Sequence, residues 1–381
     1  MDSLTQIALG AAVGTAVLGR RVGPRAALWG AVCGTLPDLD VLVPYGDPVR
    51  TFTFHRAESH ALFWLTLAAP LLAAGIARIH RVADRAVGVS FHHWWLLTWL
   101  ALVTHPLLDA FTVYGTQLLL PFSDYPVGLG SVFIIDPLVT LPLLAGLAGA
   151  WLLHRRCPRT AERWNQVGLA VAALYLGWTV AAQAHVLGHV HRALAATGLA
   201  DGRVLVTPTP FNTLLWRVVV MDEHAYHEGV YSLFDRDAPR LEPHPTQPTL
   251  LAGLRHDWTV RRLAWFSKGF YAVSSGAAVE LSRASPRAVA MPRPMERAAA
   301  ATGDVPDALP IVMADLRMGQ TPWFAFSFVV AERRDGAITR APVRQIPTRR
   351  PPPAALAWLW RRIWDENLPP PAYSSSQTRE T

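Results

Sequence analysis

Long apolar runs separated by short polar segments fill the first half of the chain. Each run holds about 15 to 22 residues, which brackets the length that an α-helix needs to cross a bilayer. Gly, Pro, Asp and Arg collect in the connections between the runs. The pattern predicts an α-helical membrane domain of about six helices over residues 1–192, with runs at residues 2–19, 26–43, 61–79, 94–108, 133–153 and 167–187.

The first two runs share a spacing of glycines. Gly10 and Gly14 are four residues apart in the first run, and Gly30 and Gly34 repeat that spacing in the second. Glycines at this spacing let two helix backbones approach closely in lipid. We therefore expect the two runs to form a tight helical hairpin; the alternative is that glycine is simply frequent here.

Beyond about residue 195 the segments become strand-length and rich in β-branched and aromatic residues. Phe324, Phe326 and Phe328 occupy alternate positions, as in a strand with one buried face. A small β-rich (α+β) soluble domain is therefore expected over residues 193–350. Its predicted strands lie in Leu214–Met221, Tyr226–Phe234, Phe266–Ser274, Ile311–Leu316 and Trp323–Val330.

Residues 351–381 combine three kinds of sequence. Three prolines precede a Trp-rich segment, Ala354–Trp364, which predicts a short helix. That helix either lies at a membrane interface or docks on its own domain. From Pro369 onward the composition predicts disorder.

Composition and charge indicate how the chain is oriented in a membrane. Hydrophobic residues make up 51% of the chain and charged residues 17%, and their uneven distribution separates a membrane domain from a soluble one. The net charge is +7, yet no nucleic-acid motif accompanies it. The arginines cluster instead at residues 20–25, 78–85 and 154–163, as the positive-inside rule requires of cytoplasmic loops. A multi-pass protein of the bacterial inner membrane with a periplasmic β-rich domain is therefore expected.

Histidines and carboxylates gather at the face opposite those arginines. His105 and Asp109 are four residues apart on one helix face, so both can reach one ion. Two further pairs, Asp38 with Asp40 and His55 with His60, lie before the third run. For each of these pairs the alternative is a turn with solvated side chains. Three imidazoles and three carboxylates on one face exceed what helix capping requires and predict a divalent-metal site with ligands Asp38, Asp40, His55, His60, His105 and Asp109.

Residues beside these ligands indicate the chemistry. Mixed nitrogen and oxygen ligands suit zinc, manganese or iron, and zinc is the expected metal. Glu58 is the predicted general base toward metal-bound water, and Arg56 is predicted to pair with an anionic group such as phosphate. His185, His189 and His191 are secondary candidates that either complete the site or are solvated.

Several sequence blocks resemble a known family. Asp2–Gln6, Pro37–Asp40, His55–Ala61 and Thr104–Asp109 look like the YdjM/YfhP type, the predicted membrane-bound metal-dependent hydrolases, some of them regulated by LexA. Later blocks such as PTPFN, SKGFY and DLRMG resemble its longer members, so the resemblance covers most of the chain. It implies an integral membrane hydrolase with a distant likeness to zinc-dependent phospholipase C and nuclease-type helical folds. Ala57 departs from the family pattern, which has glycine there.

Together these observations predict an integral membrane metal-dependent hydrolase acting on an ester or phosphoester, with a lipid as one such substrate. The expected partners are the lipid bilayer and that substrate, without nucleic acid. The alternative is a non-catalytic membrane protein in which a metal or ion-pair cluster ties helices together and the β-rich domain binds a partner. A transporter is a third option, which the clustering of polar residues at one face disfavours.

Overall fold

The computed structural model describes residues 1–276, 308–348 and 351–370. These residues form two compact units. The first contains Met1–Tyr45, Phe54–Val186 and Val206–Trp216, and the second contains Gly46–Thr53, Leu187–Leu205 and the described part of Arg217–Thr381. The chain therefore enters the second unit at Gly46–Thr53, most of which is helical, and enters it again at Leu187, and it returns to the first unit at Val206–Trp216.

Helices build the first unit, and acidic caps begin two of them. Asp2 accepts a hydrogen bond from the backbone N–H of Thr5 at 3.1 Å, and Asp136 accepts one from Leu138 at 2.9 Å. The amino-terminal half of the chain contains α1 (Ser3–Val22), α2 (Pro24–Thr35), α3 (Pro48–Phe54), α4 (Leu62–Ala86), α5 (Phe91–Asp109), α6 (Pro137–Leu153) and α7 (Pro158–Leu194). Of these helices, α3 lies almost wholly in the second unit.

Backbone contact joins α1 to α2. A Cβ atom at Gly10 would overlap the carbonyl oxygen of Gly30, and one at Gly14 would overlap that of Ala26. Gly23, with φ at 61°, makes the turn between the two helices. The predicted hairpin is confirmed, and close contact, rather than composition alone, requires its glycines.

Two helices, α4 and α7, are long and apolar enough by length and composition to cross a bilayer, and α6 is a shorter apolar helix. The expectation of about six membrane helices is not confirmed in the described part of the chain. α2 has 12 residues, and a helix of that length spans only about 18 Å, short of a hydrocarbon core about 30 Å thick. α5 carries His92, His93, His105 and Asp109 among its apolar residues.

Two apolar clusters hold the helices of the first unit together. One includes Trp94 and Leu97 and joins α1, α2, α4 and α5. The other includes Leu108 and Leu143 and joins α1, α5, α6 and α7. Because α5 belongs to both clusters, packing on two sides fixes the position of its carboxyl-terminal end.

The strands form two four-stranded sheets and a two-stranded ribbon among the described residues. The first sheet has the order β1-β2-β3-β4, and the second has the order β10-β9-β6-β5. Antiparallel pairing sets the register of the second sheet, for example Tyr271 opposite Asp315. The strands are β1 (Arg203–Pro208), β2 (Leu215–Met221), β3 (Ala225–Ser232), β4 (Glu242–Pro245), β5 (Tyr271–Ser275), β6 (Leu309–Asp315), β7 (Gly319–Gln320), β8 (Trp323–Phe324), β9 (Ser327–Arg334) and β10 (Ala337–Gln345), with helix α8 at Trp258–Phe266.

The five predicted strand segments all contain strands, so the β-rich character is confirmed. The segment at Trp323–Val330 is divided, however, because the backbone N–H of Ala325 bonds to Met318 and the carbonyl of Phe326 accepts from Asp315, both at 2.9 Å. Phe324 therefore belongs to β8 and Phe328 to β9. The pattern missed β1, β4, β7 and β10, of which β10 is largely exposed and lacks an apolar alternation.

The Trp-rich helix is α9 (Pro353–Arg362), and it docks on its own unit. The guanidinium of Arg362 donates to both carboxylate oxygens of Asp235, at 2.7 and 2.6 Å. The hydroxyl of Ser232 donates to the carbonyl of Ile363 at 2.7 Å. These contacts favour docking over an interfacial position. The predicted disorder from Pro369 falls almost entirely outside the described residues.

Candidate metal centre

Four side chains meet where three elements end. Asp38 comes from the 3₁₀ helix that follows α2, and His60 comes from a second 3₁₀ helix, Glu58–His60. His105 and Asp109 come from the last turns of α5, where a spacing of four places both on one face. All four residues belong to the first unit.

The ligand atoms of these residues form a compact group within 4.8 Å of one another. Nε2 of His60 lies 3.2 Å from Nε2 of His105. Oδ2 of Asp109 lies 3.4 Å from each of those nitrogens. Oδ1 of Asp38 lies 3.4 Å from Nε2 of His105 and 3.5 Å from Nε2 of His60.

These separations match the edges of a coordination tetrahedron. Zinc binds imidazole nitrogen and carboxylate oxygen at about 2.0–2.2 Å, which gives ligand-to-ligand edges of about 3.3–3.6 Å. Five of the six separations lie between 3.2 and 3.5 Å, and the sixth, between the oxygens of Asp38 and Asp109, is within 4.8 Å. Oδ2 of Asp109 is also buried without a hydrogen-bond partner among the described residues. A buried, unsatisfied carboxylate oxygen is costly, so the residues fit a divalent cation.

Hydrogen bonds fix the tautomers of both histidines. Nδ1 of His105 donates to the carbonyl oxygen of Gly34 at 2.6 Å. Nδ1 of His60 donates to the hydroxyl of Ser59 at 2.8 Å, because that hydroxyl in turn donates to Asp40 at 2.8 Å. Both Nε2 atoms therefore keep a lone pair directed toward the group, as metal-binding histidines require.

Asp40 and His55, two of the predicted ligands, lie beside the group rather than within it. Besides the Ser59 hydroxyl, Asp40 accepts the backbone N–H of Arg56 at 2.9 Å and pairs with Nδ1 of His55 at 2.8 Å. Burial would raise the pKa of Asp40, but these hydrogen bonds outweigh it and hold the pKa below its ordinary value. An ionised Asp40 thus accepts the Ser59 hydroxyl proton and so helps to orient the imidazole of His60.

Arg56 and Glu58, the predicted catalytic residues, have different surroundings. The side chain of Arg56 is 3% exposed, and its Nε lies 3.3 Å from Oδ2 of Asp109. Its guanidinium also donates to Thr112 at 3.2 Å and lies over the ring of Tyr114. Arg56 therefore balances the charge of Asp109 instead of presenting a free cation to solvent. Glu58 is exposed on the 3₁₀ turn that carries His60.

Sequence reasoning missed three groups around Asp109. Nε2 of Gln6 donates to Oδ1 of Asp109 at 3.0 Å and to the carbonyl of His105 at 3.2 Å. The amino group of Met1 pairs with the same carboxylate. Thr112 donates to the carbonyl of Asp109 at 2.7 Å. Gln6 was detectable, since it is a lone amide in an apolar run and lies four residues before Gly10 on the hairpin face.

The secondary histidines lie on α7 and do not join the group. His189 stacks on Tyr231 within the second unit, with ring centroids 5.9 Å apart. Neither His185 nor His191 contributes to the cluster of ligand atoms found among the described residues.

Comparisons with known proteins agree with the residues of the site. A family model described as YdjM inner membrane protein matches residues 1–186, which include all four members of the group. The uncharacterized protein YfhP of Bacillus subtilis is 28% identical over 242 residues, covering 60% of this chain and 68% of that protein. No solved structure matches the chain. Residues 1–186 of the chain therefore match the YdjM family of inner membrane proteins, and the chain is similar to YfhP.

Proposed function

We propose that this protein is a metal-dependent hydrolase of the bacterial inner membrane that acts on an ester or phosphoester. The observation that supports it is the tetrahedral spacing of Asp38, His60, His105 and Asp109 around a buried carboxylate oxygen without a hydrogen-bond partner. Two imidazoles and two carboxylates suit zinc, with manganese or iron as alternatives. Such an ion lowers the pKa of bound water to about 7 and polarises a substrate oxygen.

Burial defines the side from which a substrate approaches. The side chains of His60, His105 and Asp109 are at most 1% exposed, whereas that of Asp38 is 26% exposed. Solvent and substrate therefore reach the group beside Asp38. A catalytic site keeps a coordination position open, and this side is the one where a position is available.

The remaining residues have separate roles in the proposal. Glu58 serves as general base, because it is exposed on the turn that delivers His60 to the group. Arg56 is a positioning residue, since its guanidinium is already committed to Asp109 and Thr112. Asp40 and His55 orient His60 through Ser59.

Metal analysis of the detergent-purified protein tests the site. We expect stoichiometric zinc, manganese or iron in the wild type and its loss in His105→Ala and Asp109→Asn. His92→Ala is the matched control, because His92 is exposed on the same helix and outside the group. Metal-free wild-type protein, or unchanged metal content in both ligand variants, would refute the proposal.

The second candidate is a structural ion that ties α5 to the two 3₁₀ helices. Its supporting observation is that the group offers four protein ligands, the number found in closed structural sites. Glu58→Gln separates the two functions. If the protein is a hydrolase, Glu58→Gln keeps its metal and melting temperature but loses phosphodiesterase or esterase turnover. If the ion is only structural, the Glu58→Gln variant retains the physiological function of the protein.

The multi-pass topology also belongs to the proposal. The arginine-rich connections at residues 20–25, 78–85 and 154–163 are assigned to the cytoplasm by the positive-inside rule. The metal centre and the β-rich unit are then periplasmic. A periplasm-active reporter fused after Arg192 should be active, and a cytoplasm-active reporter fused there should be inactive.

A further inference from the structure

A cavity opens at the carboxyl-terminal end of α1 and the amino-terminal end of α2, away from the metal centre. Its volume is about 280 Å³. The last turns of α1 and α6 and the first turns of α2 and α7 surround it, all within the first unit. Small and apolar side chains form most of its wall, namely Gly19, Ala27, Leu147, Ala150 and Ala161.

Positive charge concentrates at the mouth of this cavity. Arg20 and His154 line it, Arg155 and Arg156 follow in the adjoining α6–α7 connection, and Arg159 lies in the first turn of α7. Glu162 also lines it and pairs with Arg20 at 3.4 Å, but the Arg20 side chain stays 64% exposed. Nδ1 of His154 donates to the carbonyl of Trp151 at 2.5 Å, so Nε2 can donate to an anion when the imidazole is protonated. Among the lining residues Glu162 offsets the charge of Arg20, and the surplus of positive charge comes from the exposed Arg155, Arg156 and Arg159 that follow His154 in the sequence.

Two helix amino termini add to that charge. Pro24 begins α2 and Pro158 begins α7, and both residues line the cavity. The N-cap of α2 is Gly23, which supplies no side-chain hydrogen bond to the first turn. A helix amino terminus carries a partial positive charge and favours an anion, especially where no side chain caps it.

We propose that this cavity binds an anionic glycerophospholipid, with the phosphate at Arg20 and His154 and an acyl chain against the apolar wall. The occupant follows from the combination of features: the charge selects an anion, whereas a wall of Gly, Ala and Leu side chains suits a hydrocarbon chain. Basic pockets between membrane helices on the cytoplasmic side bind anionic headgroups. The site is separate from the metal centre, so it does not depend on the hydrolase proposal.

Lipid retention tests the site. The full-length protein is purified in mild detergent, lipids are extracted, and bound phosphatidylglycerol is counted per chain by mass spectrometry. Arg20→Gln combined with His154→Gln should weaken binding of added phosphatidylglycerol at least about fivefold, which corresponds to a loss of roughly 1 kcal/mol in total. Arg81→Gln is the matched control, because Arg81 is an exposed arginine in another arginine cluster and does not line the cavity.

Additional variants and ligands in the same binding experiment identify what the cavity binds. Ala150→Phe fills the apolar wall without changing charge, and it should also reduce lipid retention; circular dichroism and the melting temperature verify its folding. Phosphatidylcholine should bind more weakly than phosphatidylglycerol, and glycerol 3-phosphate, which lacks the acyl chains, should not compete. Equal binding of both lipids, competition by glycerol 3-phosphate, or unchanged retention in the double variant and Ala150→Phe would each overturn the proposal.

Discussion

The ring nitrogen Nδ1 of His105 lies 2.6 Å from the carbonyl oxygen of Gly34. Gly34 belongs to α2, and a Cβ there would lie about 3 Å from backbone atoms of Gln6 and Gly10 in α1. The glycine contact between α1 and α2 therefore determines where the carbonyl that orients His105 is placed. Helix packing and the geometry of the candidate metal centre are coupled through this one hydrogen bond.

Widening the hairpin should weaken metal binding without altering a ligand. In Gly10→Val, the new side chain meets the backbone of Gly30, so α2 moves away and the Gly34 carbonyl loses its position. We expect metal affinity to fall by about 10- to 100-fold, as for loss of a hydrogen-bond partner of a ligand. Competition with a fluorescent chelator measures it. Gly75→Ala is the control, since a Cβ at Gly75 meets nothing within 4 Å; an equal loss in both would contradict the coupling.

Removing the carboxylate behind His60 should have a similar effect. Asp40→Ala leaves the Ser59 hydroxyl and the backbone N–H of Arg56 without their acceptor. The imidazole of His60 is then poorly oriented, and metal affinity should fall by about 10- to 100-fold while Asp38, His105 and Asp109 are unchanged. Titration calorimetry with zinc tests this against Asp201→Ala, an exposed carboxylate. Complete loss of metal would instead identify Asp40 as a ligand.

The sequence specified much of this site because its chemistry depends on residue type and local spacing. His105 and Asp109 share a helix face whatever the tertiary structure, and Pro37 separates Asp38 from α2. The division between ligands and supporting residues was not available from spacing. Asp40 and His55 have the right atoms but face Ser59 and each other, which only the fold determines. The Gly34 carbonyl is a backbone group and leaves no signal in the side-chain pattern.

Prediction of the fold from the sequence was limited in the same way, because local patterns do not contain all of the tertiary information. Hydrophobic runs located the helices, and the GxxxG spacing located their closest contact. Membrane crossing depends on length as well, and α2 is short because Pro37 follows it so soon. In the second unit, β10 was missed because an edge strand with mostly exposed residues has no apolar alternation.

A buried polar pair in the first unit should contribute to stability independently of the metal. The indole Nε1 of Trp94 donates to Oδ2 of Asp84 at 2.6 Å, and both residues are buried. Trp94→Phe removes this donor and should lower the free energy of unfolding by about 1–3 kcal/mol. Thermal denaturation in detergent measures the loss relative to Trp95→Phe, whose residue is 37% exposed. Metal content should be unchanged in both variants.

The docking of α9 should depend on one ion pair. Arg362 and Asp235 have side chains only 9% and 5% exposed, so removing the cation leaves a poorly solvated carboxylate. Arg362→Gln should release α9 and increase proteolytic cleavage within residues 353–370. The control is Arg361→Gln, which changes an exposed neighbour. Equal protection of both variants would show that the hydrogen bond from Ser232 to Ile363 suffices to hold the helix.

Lys268 offers a pH-dependent test because it is the single lysine of the chain. Burial, together with repulsion from Arg317, lowers its pKa to about 8. The folded protein therefore favours the neutral amine more than solvent does, and the reactivity of Lys268 toward an acylating reagent should rise with pH with a midpoint near 8. Peptide mass spectrometry separates this site from the amino terminus. Arg317→Gln removes the repulsion and should shift the midpoint upward; a midpoint above 10 in the wild type would contradict the burial of the amine.

The order of the supporting residues along the chain has a consequence for biosynthesis. Gln6, Gly34, Asp40, Arg56, Ser59 and Thr112 support the group, and its ligands lie at Asp38, His60, His105 and Asp109. All of them are translated before residue 113, ahead of α6, α7 and the β-rich unit. The complete set of ligands and supporting residues is therefore synthesised while more than two thirds of the polypeptide is still untranslated, and α6 and α7 later complete the packing around α5.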